Sequence, residues 1–134
     1  MRTHVEFRST KFPAYPGEEA EVNPDQWGKR LVEYLKLKLR EHDFATGQIY
    51  AEDWGWGNPL CHEVFPMWIG CGSYAEFQDG YLVFIEPSKA TVRSGWFRKI
   101  DTTADVEKVA SVLDAILKAD PDILAIRWWS EDER

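Results

Sequence analysis

The sequence predicts an α+β fold: a two-layer sandwich in which two helices cover one face of a mostly antiparallel sheet of four to six strands. Three observations carry this. The segments follow the order β-α-β-β-β-(β)-α-β, each helical segment shows a single apolar stripe, and the strand segments mostly alternate between apolar and polar residues. A chain of 134 residues buries one core and is too short for two, so a single domain over 1–134 is expected.

HVEFRS (4–9) alternates as a strand does, and KFPAYPGEEAEV breaks any period with Pro13, Pro16 and Gly17. In NPDQWGKRLVEYLKLKLREHD, Asn23 suits an N-cap, Pro24 the first helical position and Asp25 the positive end of the helix dipole. Trp27, Leu31, Tyr34, Leu35 and Leu39 then share a face, which predicts a helix from about Pro24 to His42. GQIYAEDWGW, EVFPMWIGCG and YLVFIEP read as strands, the last two separated by the turn signal QDG. RSGWFRKI predicts a fourth short strand or an extended arm. The second helix is the clearest element. In DTTADVEKVASVLDAILKADP an apolar stripe of Val106, Val109, Ala110, Leu113, Ile116 and Leu117 lies between a Thr102 or Thr103 cap and the stop at Asp120-Pro121. ILAIRWWS is a final strand and SEDER a solvated acidic tail.

Period-two alternation assigns side chains to faces. Phe65, Met67, Ile69 and Cys71 are expected on one side of their strand with Trp68 on the other. Tyr50, Glu52, Trp54 and Trp56 are expected to share a face, and Pro66, lacking a ladder donor, suggests an edge or a bulge.

Composition narrows function without choosing one. A net charge of −7 argues against a general nucleic-acid binder. No apolar run has the length of a membrane span, and MRTHVEFRST lacks a signal-peptide core. Cys61 and Cys71 make no disulfide framework, so a cytoplasmic protein with two reduced thiols is expected.

The stretch Glu52–Gly72 holds three tryptophans, two cysteines, a histidine and three acidic residues. If both helices cover one face of the sheet, Trp54, Trp56, Trp68 and one of Trp128 and Trp129 should lie on the other. A monomer seldom leaves such a face in water. It is expected to meet the Phe12–Val22 segment, a second copy of the chain, or a ligand. Glu52, Asp53, Trp54, Trp56, Trp68 and Trp129 are therefore the candidate contact residues.

Other chemistry is weaker. Cys61, His62 and Cys71, with His42 or His4, supply zinc-ligand types but no paired C-x2-C spacing, so no metal and no cofactor is expected. Adjacent Cys61 and His62 point to opposite sides of a strand, which disfavours a nucleophile–base pair. Glu52, Asp53, Glu63 and Glu86 beside Trp54 or Trp56 suggest a small hydrolase or ligand-binding protein as the alternative function. Lys89, Arg93, Arg98 and Lys99, with Arg127, form a weak candidate anion site beside Trp96 and Phe97.

NPDQWG opening a helix, EDWGWG, WIGCG, FIEPSK and a closing helix followed by IRWW together resemble a small bacterial family of single-domain proteins of unknown function. The resemblance implies a stand-alone domain and assigns no ligand, activity or residue role. The function expected from the residues is a non-enzymatic binding domain, immunity-type or regulatory, that uses its aromatic sheet face. Its partner would be itself, as a homodimer, or another protein, with neither nucleic acid nor membrane.

Overall fold

The alternating segments form the strands of one antiparallel sheet. A computed structural model describes residues 1–22, 26–74, 77–96 and 98–133. β1 (His4–Arg8), β2 (Tyr50–Glu52), β3 (Gly55–Leu60), β4 (Met67–Ser73), β5 (Gly80–Glu86) and β8 (Leu124–Trp129) build a six-stranded sheet in the order β2-β3-β4-β5-β1-β8. Every neighbouring pair in it is antiparallel. β6 (Thr91–Ser94) and β7 (Arg98–Asp101) form a separate two-stranded ribbon, so RSGWFRKI spans the turn of a hairpin.

The helices α1 (Lys29–Glu41) and α2 (Thr103–Ala119) pack on one face of the sheet. The α1 stripe Leu31, Val32, Leu35 and Leu39 and the α2 stripe Val106, Val109, Leu113, Ile116 and Leu117 are buried. They share one core with Val5, Phe7, Met67, Ile69, Cys71, Tyr81, Val83 and Ile85. These strand residues alternate in sequence, as the period-two rule requires.

Four expectations need correction. The first helix starts at Lys29, five residues later than the Pro24 start that its caps suggested, while Asn23, Pro24 and Asp25 lie outside the described residues. Trp27 precedes the helix because its indole N–H donates to the Tyr81 hydroxyl at 3.0 Å. Gly28 is held so close to β4 that a Cβ there would sit 2.7 Å from the Cys71 carbonyl oxygen. GQIYAEDWGW is two strands, because the chain reverses at Asp53-Trp54 and Glu52 pairs with Gly55. Pro66 lies just before β4, which is an interior strand, so its missing donor costs the ladder nothing. The Phe12–Val22 segment covers the helix side instead of the opposite face. Phe12 is buried against Tyr34 and Tyr81 and its carbonyl accepts from the Tyr81 hydroxyl.

Glu18 explains both the late helix start and the path of that segment. Its carboxylate, 2% exposed, accepts from the Tyr15 N–H at 2.9 Å, the Gly28 N–H at 2.8 Å, the Lys29 N–H at 3.1 Å and the Trp56 indole N–H at 2.9 Å. It caps α1 from outside the helix, supplying the acceptor that Gly28 at the N-cap lacks. At the start of α2, Asp101 accepts from the Thr103 N–H at 2.9 Å, while the Thr102 hydroxyl turns away to the Lys89 carbonyl at 2.5 Å.

Candidate functional site

Among the described residues, no helix covers the second face of the sheet, and its side chains follow from the register. Tyr50 pairs with Gly57, Gly57 with Gly70, Gly70 with Phe84, Phe84 with His4, and His4 with Trp129. One straight row therefore crosses all six strands, aromatic or imidazole at four positions and glycine at two. The glycines form the floor on which the rings lie. A Cβ on Gly57 would fall 2.3 Å from the Tyr50 ring, and one on Gly70 would fall 2.3 Å from Phe84 and 2.8 Å from Trp54.

Trp54 arrives from the β2–β3 turn, made possible by Gly55, whose φ of 149° and closeness to the Cys71 carbonyl exclude a side chain. The Trp54 ring packs 5.1 Å from Phe84 and 6.0 Å from Trp68, and Trp68 sits 5.5 Å from Phe84 and 6.3 Å from Tyr50. At the other end His4 stacks on Trp129 at 4.4 Å and faces Phe84 at 5.7 Å. Tyr50, Trp54, Trp68, Phe84 and His4 remain half-buried, whereas Trp129 is 2% exposed.

Charges line the layer. The Arg127 guanidinium donates to Glu6 at 2.5 Å, and Glu86, opposite Trp68 in register, accepts from the Ser88 N–H at 3.1 Å. Burial, then the Glu52 carboxylate, holds the Tyr50 hydroxyl above its usual pKa. Both long edges of the sheet are poor templates for another strand. β2 has three residues, and the β1–β8 register shifts between Glu6 and Arg8, with Ala125 at a φ of 57°.

Trp54, Trp68 and Trp129 thus share the open face with Glu52, and Asp53 stands in the turn at its corner. Trp56 does not belong there. It is 4% exposed on the helix side, because the turn at Asp53-Trp54 resets the alternation and Glu18 binds its indole. The anion-site residues are likewise divided. Arg93, Arg98 and Lys99 lie on the β6–β7 ribbon, while Arg127 is on β8 in its ion pair with Glu6.

The reactive residue types are arranged for structure. The His62 Nδ1 accepts from the Val64 N–H at 3.2 Å and the Phe65 N–H at 3.3 Å, which leaves the proton on Nε2, 3.4 Å from Asp105. Neither ring nitrogen is left to activate the exposed Cys61. Cys71 is fully buried in the helix-side core, and burial pushes its thiol well above the usual range. Among the described residues no group of three His, Cys, Asp or Glu side chains is placed to hold a metal ion. Glu52 and Glu86 stand three strand spacings apart and, by register, four residues apart along the strands, roughly 20 Å in all at the usual sheet dimensions. That exceeds the separation at which two carboxylates share a glycosidic bond.

Two features escaped the sequence. Glu18 sits in a Pro- and Gly-rich connection where an acidic residue reads as solvated. Asp120 looks like a simple helix stop, yet it accepts from Lys11 Nζ at 2.6 Å, the Tyr34 hydroxyl at 2.7 Å and the Asp122 N–H at 2.9 Å. Burial would raise its pKa, but these donors together hold it down to about 2. A cleft of about 600 Å³ also opens between residues 9–14, Trp27 and Asp79. Its Trp27 and Tyr81 polar tips bond to protein partners, and Arg8 is paired with Asp79 at 2.9 Å. Comparison of the chain with protein-family models, curated proteins and solved structures finds no match.

Proposed function

We propose that this chain is a non-enzymatic interaction domain, regulatory or immunity-type, whose contact surface is the open face of its sheet. A second copy of the chain is the first partner to test. The observation that carries the proposal is the aromatic layer over Gly57 and Gly70, half-buried by its own rings on the face that no helix among the described residues covers. Contiguous apolar surface of this kind marks association sites more often than idle surface, and aromatic side chains are enriched among the residues that dominate binding energy. The blunted sheet edges favour face-to-face contact over strand addition.

Sedimentation equilibrium across the micromolar range tests this. The wild-type chain is expected to self-associate, and Trp68→Ser to weaken that association by about tenfold or more while its circular dichroism stays native. Association unchanged by Trp68→Ser would overturn the face as the contact surface.

A further inference from the structure

We propose that the β6–β7 ribbon is the arm by which one copy of this chain grips the open face of another, its Trp96 and cationic side chains meeting that face's rings and carboxylates. The proposal rests on the preceding reading of the open face and names what covers it.

The ribbon has an anchored base and a bare tip. At its base Val92 and Ile100, paired in register, pack against the core, and the Thr102 N–H donates to the Ala90 carbonyl at 2.8 Å. At its tip, beside Gly95 with a φ of 76°, Trp96 is 90% exposed. No other large hydrophobic residue among those described is so exposed; the next is Leu124 at 62%. The turn displays an indole that the domain's own packing does not use.

The charges point the same way. Residues 87–100 carry Lys89, Arg93, Arg98 and Lys99 and no acidic residue, a local +4 in a chain of net −7. The rest of the chain holds twelve basic and 23 acidic residues, or −11. Arg93 and Lys99 are directly opposite one another across the ribbon, on the side away from Val92 and Ile100. Facing like charges destabilise a strand pair, and among the described residues none of the four cations has an ion-pair partner. The complement to this arm, aromatic rings with Glu52 and Glu86 beside them, is the open face of the same chain.

Area adds a further argument. Six strands about 4.8 Å apart and about 20 Å long give a projected face of roughly 500 Å², whereas a stable interface buries about 800 Å² on each partner. The face alone falls short, and an inserted Trp, at about 150–250 Å², with its flanking cations brings the contact nearer to that size. If each ribbon grips the other copy's face, the assembly closes as a two-fold dimer.

A charge exchange tests the pairing. Arg93→Glu with Lys99→Glu reverses the arm, and Glu52→Lys with Glu86→Lys reverses the face. Each double variant alone should associate at least about tenfold more weakly than wild type at low salt. Mixed in equal amounts they should form a heterodimer, since both arm–face contacts in it then join opposite charges. Trp96→Ser, at an exposed position, should weaken self-association while leaving the thermal stability of the dilute, monomeric chain unchanged. If Trp68→Ser weakens association while Trp96→Ser and both charge variants associate like wild type, the arm is refuted and the face reading stands. If the wild-type chain is monomeric throughout, both fail. A monomer that cosediments with vesicles of anionic phospholipid through Trp96 would overturn the proposal in favour of a lipid surface.

Discussion

Replacing Gly70 by alanine puts a methyl group where the rings of the open face now lie. The new Cβ would stand 2.3 Å from the Phe84 Cζ and 2.8 Å from the Trp54 ring, closer than carbon atoms approach. Backbone conformation is no obstacle, because Gly70 is outside the positive-φ glycines. With a passive environment the substitution would therefore stabilise, by about 0.4–1 kcal/mol, through the reduced freedom of the unfolded chain. Here Phe84 must shift by about an ångström, and it is packed against His4, Trp54 and Trp68. Overpacking costs about 1–3 kcal/mol, and each disturbed ring pair forfeits part of its ~0.5–1.5 kcal/mol. The net expectation is a loss of about 1–2 kcal/mol with reduced near-ultraviolet circular dichroism.

A double-mutant cycle in urea isolates the cause. In a Phe84→Ala background the closest obstacle is gone and Trp54 has lost a neighbour that fixes it. Gly70→Ala should then be neutral or stabilising, a change of sign between the two backgrounds. An equal effect in both, or a stabilising effect in the wild-type background, would refute the claim that the glycine row exists to seat the rings.

Glu18→Ala should cost about 3–5 kcal/mol in urea denaturation, since it orphans the buried Trp56 and Gly28 donors and removes the cap of α1; a loss under about 1 kcal/mol would remove Glu18 from its structural role. For Asp120, a folded pKa of about 2 against the usual 3.8 contributes about 2 kcal/mol that is present above pH 3.8 and disappears as the pH falls through about 2. Asp120→Asn should flatten the acid-unfolding curve in that window, and parallel curves for variant and wild type would contradict the linkage.

How much of this was legible depends on the range of the forces involved. The α2 stripe from Val106 to Leu117 reads directly from spacing, because one helix face must be apolar wherever the helix packs. The alternation of Met67, Ile69 and Cys71 against Trp68 is equally local and emerged with the expected sides. Trp56 failed because alternation holds only within an unbroken strand, and the reversal at Asp53-Trp54 depends on how near Gly55 comes to the Cys71 carbonyl. The first helix started late for a comparable reason. Its cap is Glu18, ten residues from Gly28 in sequence, and no local pattern announces an acceptor that arrives from elsewhere.

The sequence by itself determined the layer architecture, the single core and the presence of more aromatic surface than one helix-covered face can absorb. Periodicity and composition are properties of neighbouring residues, so those conclusions need no coordinates. Only the tertiary structure decided that Tyr50, Phe84, His4 and Trp129 stand in one row with Gly57 and Gly70, set by the register of five strand pairings that no single segment encodes. It also decided that Trp56 turns inward to Glu18 while Trp96 is left exposed at the end of a cationic ribbon. Those placements follow from long-range pairing, where the free energy of a contact depends on which distant residue the fold delivers to it.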